Sequence, residues 1–148
     1  MNNLQKEASD IITELCKGDL NAISFCELYL KTAHMIDDLY DGDIPKEKIV
    51  DFTQYILDLV NHQFFRVNYS TLYPVLQLTL LTWSVSNVLD KSIVDKEREI
   101  GDMTRICGND LILVVALMFT PLAECIEPCA RLKVISYQLH HTKDNQPI

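Results

Sequence analysis

From Leu72 to Leu89 the chain runs without an Asp, Glu, Lys or Arg. A stretch of that length and apolarity has to be hidden in a protein core or in a membrane. Gln77, Thr79, Thr82, Ser84, Ser86 and Asn87 dilute it too evenly for a lipid-facing span. The reading is therefore a helix, apolar nearly all round, at the centre of a helical bundle. A second apolar run, Leu111 to Ile126, is too short to span and carries Pro121 and Glu124, so it too reads as core.

The rest of the chain supplies helices to surround such a centre. Leu4, Ala8, Ile11, Ile12 and Leu15 share one helical face, and Gly18 stops that helix. Asp19 is placed as the N-cap of a second helix from Leu20 to about Tyr40, closed by Asp41-Gly42-Asp43-Ile44-Pro45. Pro45 and Glu47 open a third, whose expected stripe is Ile49, Phe52, Thr53, Ile56 and Val60. Ser70 and Pro74 mark the entry to the central helix. A fifth helix begins near Ser92, with Gly101 and Gly108 as points of bending, and Pro121 and Pro128 cut the remaining chain into short pieces. Val134 to Leu139 alternates like a strand but has no partner, so it is assigned as helix. The expected fold is all-α, a single-domain bundle of five to six helices over residues 1–139. Residues 140–148, from His140 on, are polar and read as a flexible tail.

Composition sets limits on partners. The 148 residues are 48% hydrophobic and 23% charged, as in a globular domain. Thirteen Lys and Arg against 21 Asp and Glu give a net charge of -8, which repels phosphate backbones and anionic lipid, so neither nucleic acid nor membrane is an expected partner. The five cysteines, at irregular positions, read as reduced core thiols, and the N-terminus has no apolar secretory segment. Together these place the chain in the cytoplasm.

One cluster of ionisable groups bears on function. At about 100° per residue, Glu27, His34, Asp38 and Asp41 fall within about 60° of one another on the second helix. Asp51, Asp58 and His62 repeat the pattern on the third, and Glu99 and Asp102 form a further pair. Converging carboxylates bind hard cations such as Mg²⁺, and added histidine suits Mn²⁺ or Zn²⁺. The metal candidates are thus Glu27, His34, Asp38, Asp41, Asp58 and His62. Facing one another, two such surfaces would make a hydrolytic site for a nucleotide or another phosphorylated small molecule. Against this, Ala22, Phe25, Cys26, Tyr29, Ala33, Ile36 and Tyr40 lie on the opposite side of the second helix. An antiparallel pair meeting through its apolar stripes sends both acidic faces to solvent, and no cofactor is then required.

Asp37-Asp38-Leu39-Tyr40-Asp41 resembles the DDxxD motif of the all-helical isoprenoid synthases. Their second metal-binding motif has no counterpart at Asn87 to Glu97, and those enzymes are about twice as long, so the resemblance is set aside. Glu99-Ile100-Gly101-Asp102 is similar to the ExxD element of the all-helical nucleoside triphosphate pyrophosphatases, but the ExxE that should shortly precede it is missing.

Cys125 and Cys129 with His140 and His141 have the ligand types of a zinc site, but Pro128 and the adjacent histidines spoil its geometry, leaving buried thiols as the reading. No Gly-rich phosphate loop or G-x-S-x-G turn is present in the sequence. Phe64, Phe65, Tyr69, Tyr73 and Trp83 are expected to form a core seam or a partner surface. The functional expectation is a small acidic interaction or assembly protein that binds a protein partner or itself. The alternative is the metal-dependent hydrolase.

Overall fold

The computed structural model describes the backbone of residues 3–106 and 110–144 and the side chains of residues 3–105 and 110–139. In chain order the helices are α1 (Asn3–Leu15), α2 (Leu20–Asp41), a 3-10 turn (Lys46–Lys48), α3 (Ile49–Asn61), α4 (Gln63–Val67), α5 (Tyr69–Leu89), α6 (Asp95–Ile106), α7 (Asp110–Phe119) and α8 (Leu122–Asp144). No strand occurs among the described residues. The all-α expectation holds, with more helices than the five or six read from the sequence. The contacts group the chain into two compact units, residues 18–69 and residues 1–17 with 70–148.

In the unit of residues 18–69, α2 begins where the Ala22 N–H donates to Asp19 Oδ1 at 2.8 Å, a side-chain cap for one of the four unpaired amides of a helix start. It ends at Gly42, whose φ of 82° is left-handed and whose N–H reaches the Asp38 carbonyl. Ala22, Phe25, Cys26, Tyr29 and Thr32 form its buried face, and α3 and α4 pack on α2. The side of α3 turned inward differs from the expected stripe. Leu59 is buried and Phe52 and Tyr55 half-buried, while Ile49, Ile56 and Val60 are exposed, a rotation of about 80° at 100° per residue. On that inward side the Lys31 ammonium lies over the Tyr55 ring at 4.5 Å. Phe64 and Phe65 of α4 stack with Phe25 at centroid distances of 5.5 and 5.9 Å, and Tyr69 meets Phe65 edge-on at 5.8 Å.

In the other unit α1 buries Ala8, Ile12, Leu15 and, just beyond its end, Cys16. It packs on α7 and α8, which contribute Leu111, Ile112, Val115 and Ala116, and Cys125, Leu132 and Ile135. Each large aliphatic side chain hidden this way contributes roughly 1.5–3 kcal/mol. One buried hydrogen bond aligns the layer: Thr120 Oγ1 donates at 2.7 Å to the Leu15 carbonyl, a group that α1 leaves unpaired at its C-terminus. At the surface Arg131 holds Glu7 by two bonds of 2.6 and 3.0 Å, and this pairing keeps the Glu7 carboxyl below its ordinary pKa.

One expectation about the prolines is corrected. Pro128 does not divide the last segment, because α8 runs through it to Asp144. The proline costs about 3 kcal/mol in a helix interior, offset here by the burial of Cys125 before it and of Leu132 and Ile135 after it. The backbone also stays helical through His140 to Asp144, inside the segment expected to fray; residues 145–148 and Gly108 lie outside the described residues.

The largest departure is α5. The sequence reading buries it at the centre, but within the chain it buries only Leu72, Ser86 and Asn87. Its C-terminal end is held to α6 by polar groups. Arg105 donates to Asn87 Oδ1 at 2.9 Å and pairs with Asp90. The Asn87 Nδ2 is buried with no partner among the described residues, a cost of about 1–3 kcal/mol. Gly101, buried inside a continuous α6, lets this crossing close: a Cβ there would overlap Asp90 Oδ1 and come within 3.1 Å of Leu89 and 3.2 Å of the Ser86 carbonyl.

Gly101→Ala is expected to lower the unfolding free energy by about 1–3 kcal/mol through overpacking. Thr120→Val, which keeps the shape but strands the Leu15 carbonyl, should cost about 1–2 kcal/mol. Both are read from urea unfolding curves with unchanged m-values.

Candidate functional site

The acidic and histidine residues singled out as metal candidates all lie in the unit of residues 18–69. Glu27, His34 and Asp41 on α2 are exposed and Asp38 is half-buried, while Asp58 on α3 is exposed and accepts at 2.7 Å from Gln54 Nε2 one turn away. Asp51 accepts at 2.7 Å from Lys48, which is a surface ion pair. Among the described residues no three His, Cys, Asp or Glu side chains are grouped so as to hold a metal ion. The described carboxylates and histidines of α2 and α3 are thus not brought together as a hydrolytic centre requires.

His62 is the exception, and its role is structural. Its backbone is extended between α3 and α4, with φ -57° and ψ 134°, and its Nδ1 accepts the Phe64 N–H at 3.2 Å, making it the N-cap of α4. Its ring also lies 5.6 Å from that of Phe25. Its Nε2 is 3.1 Å from Ser24 Oγ, a spacing that suggests a nucleophile and its base. The cap decides against this. Because Nδ1 must be an acceptor, the neutral ring carries its proton on Nε2 and donates it to Ser24 Oγ. The Ser24 hydroxyl in turn donates at 3.1 Å to the Asn21 carbonyl. A base would need the opposite polarity, with Nε2 bare and Nδ1–H pointing at the Phe64 N–H. The pairing of Ser24 with His62 ties α2 to the α3–α4 corner, and only three dimensions could show it.

The thiol cluster resolves similarly. Cys125 is buried and donates at 3.4 Å to the Thr120 carbonyl. Burial, together with nearby Cys125, raises the Cys129 pKa above its ordinary value, which keeps it a thiol at neutral pH and a poor ligand or nucleophile. Among the described residues Cys16, Cys26, Cys125 and Cys129 form no disulfide. Cys107 and the side chains of His140 and His141 lie outside the described residues. Glu99 is exposed and Asp102 half-buried on α6.

The described structure does present exposed apolar surface. On α5, Tyr69, Tyr73, Leu78, Leu80, Leu81, Val85 and Val88 are exposed, and on α3 so are Ile49, Val50, Ile56, Leu57 and Val60. Of the aromatic residues expected as one seam, Phe64 and Phe65 are core, Trp83 is half-buried, and Tyr69 and Tyr73 are open. By length and composition α5 is also the one described helix capable of crossing a membrane. No protein-family model matches the chain, and no curated protein or solved structure matches it either.

Burial lowers the His62 pKa below its ordinary value, so the folded protein prefers the neutral ring. The stability this contributes is present above the unfolded histidine pKa of about 6.5 and is lost as pH falls through the folded value. The thermal midpoint is expected to drop between about pH 7.5 and about pH 5.5. His62→Asn, which can still cap α4 but cannot titrate, should flatten that slope while leaving the midpoint near neutrality within a few degrees.

Proposed function

We propose that this chain is a small acidic helical interaction or assembly protein, whose work is to bury an apolar surface against a protein partner or another copy of itself. The observation that carries the reading is α5: a helix with no charged residue from Tyr69 to Leu89 that leaves Leu78, Leu80, Leu81, Val85 and Val88 open to solvent. Single exposed leucines are ordinary, but a contiguous apolar surface of several hundred square ångströms is what interfaces leave behind when the partner is removed. The buried central helix read from the sequence fits here in altered form, with α5 central to an assembly instead of to one chain. The exposed face of α3 is a second surface of the same kind.

The reading as a metal-dependent hydrolase has less support, since Glu27, His34, Asp38, Asp41, Asp58 and His62 are not grouped as ligands and His62 is committed to a helix cap. For an interaction protein, metal-stripped material shows the same thermal midpoint with and without Mg²⁺, Mn²⁺ or Zn²⁺, and Asp38→Ala and His34→Ala do not alter that response. A midpoint that rises with one metal only in the parent would restore the hydrolase, because a ligand bound by the native state alone stabilises it by mass action. Assembly itself is tested by sedimentation equilibrium over a wide concentration range, where a mass above the 17.0 kDa of one chain is expected.

A further inference from the structure

We infer that the corner between α3 and α4 is an acid-operated latch: a proton added to His62 removes the cap of α4 and raises the open population of that helix, while α2 and α3 stay folded. The inference goes beyond the assembly reading and does not rest on it. Every group in it belongs to the unit of residues 18–69.

The imidazole makes two hydrogen bonds of opposite kind. Its Nδ1 accepts the Phe64 N–H at 3.2 Å, and its Nε2 lies 3.1 Å from Ser24 Oγ, to which it donates. Only the neutral ring can do both. An imidazolium carries a hydrogen on each nitrogen and has no acceptor left. Its Nε2–H keeps the bond to Ser24, but its Nδ1–H is turned against the Phe64 N–H, donor to donor. Ser24 and the Phe25 ring, 5.6 Å away, hold the imidazole on α2, so the amide is the side that yields.

α4 is built to yield. It has only five residues, Gln63–Val67, too few to persist as a helix unaided. The Arg66 N–H bonds to the His62 carbonyl at 3.0 Å and the Asn68 N–H to the Phe64 carbonyl at 3.2 Å, so both depend on the turn that His62 caps. Phe64 and Phe65, packed on Phe25, oppose opening and keep the corner closed most of the time. Loss of an N-cap then multiplies the open population by roughly two to thirty.

No neighbour offsets the added charge. The nearest ionisable side chains along the packed elements are Asp19 and Glu27 on either side of Ser24, Asp58 one turn before His62 and Arg66 one turn after it, all exposed. None of them pairs with the ring among the described residues. Asp19 is occupied with the Ala22 N–H and Asp58 with Gln54. Burial therefore sets the direction, lowering the His62 pKa, and the proton enters only in mild acid.

Amide hydrogen exchange of the full chain, followed by NMR at pH 7.5 and 5.5 and corrected for intrinsic rates, reads the latch directly. Protection of the Phe64, Arg66 and Asn68 amides is expected to fall about tenfold at the lower pH, while that of Phe25 on α2 and Leu59 on α3 changes less than about twofold. His62→Asn, which accepts at the cap at both pH values, should abolish the difference. His34→Asn, at the other histidine of this unit, should leave it intact. The ring ¹⁵N shifts of the parent, which need no substitution, should place the neutral proton on Nε2. Equal protection at both pH values, a loss spread evenly through α2 and α3, the same loss in His62→Asn, or a neutral ring protonated on Nδ1 would each overturn the latch. All four leave the assembly reading untouched.

Discussion

An α-helix satisfies its own backbone hydrogen bonds, so what remains for tertiary structure is to hide the apolar side chains it carries. That division governs this protein. Each helix except α5 has a recognisable polar side or a neighbour against its apolar one. α5 has apolar residues on both sides and, in the chain alone, cover for one of them. Among the described helices α5 leaves the most large apolar side chains exposed, and the functional reading rests on them more directly than on any catalytic group.

Two of the groups that look like chemistry in the sequence, His62 and Cys125, make bonds that hold the fold together. His62 touches a hydroxyl as a general base would, yet the amide it accepts from fixes the tautomer and reverses the direction of that bond. Cys125 and Cys129 lie close together, but burial holds Cys129 as a thiol, and Cys125 spends its hydrogen on the Thr120 carbonyl. Thr120 also closes the C-terminus of α1, so one residue joins three helices of its unit. Such side-chain-to-backbone bonds need few residues and are specific in position.

Much of the local structure was legible because local physics decides it. Asp19 before an apolar-periodic run reads as a cap, and Gly42 as a left-handed stop, since a Cβ penalises that conformation in other residues. Other features were not legible. The inward face of α3 is turned from the predicted stripe, with Phe52, Tyr55 and Leu59 toward α2 and α4, a choice made by contacts between residues far apart in sequence. Pro128 failed to end its helix because packing on both sides outweighs its local penalty. The acidic face of α2 was legible as a face; whether a second face met it was a question of helix rotation.

The sequence by itself determined that this protein is helical, where α1 and α2 start and stop, and that one long segment without charge must be covered by something. Those conclusions rest on periodicity, capping and desolvation, which act within a few residues. Tertiary structure alone decided that the acidic residues do not assemble, that His62 caps a helix, and that Leu78, Leu81, Val85 and Val88 lie outside their own chain's core. The reason is that hydrophobic burial is non-directional: a sequence specifies how much apolar surface needs hiding, but the neighbour that hides it is chosen by how the helices pack.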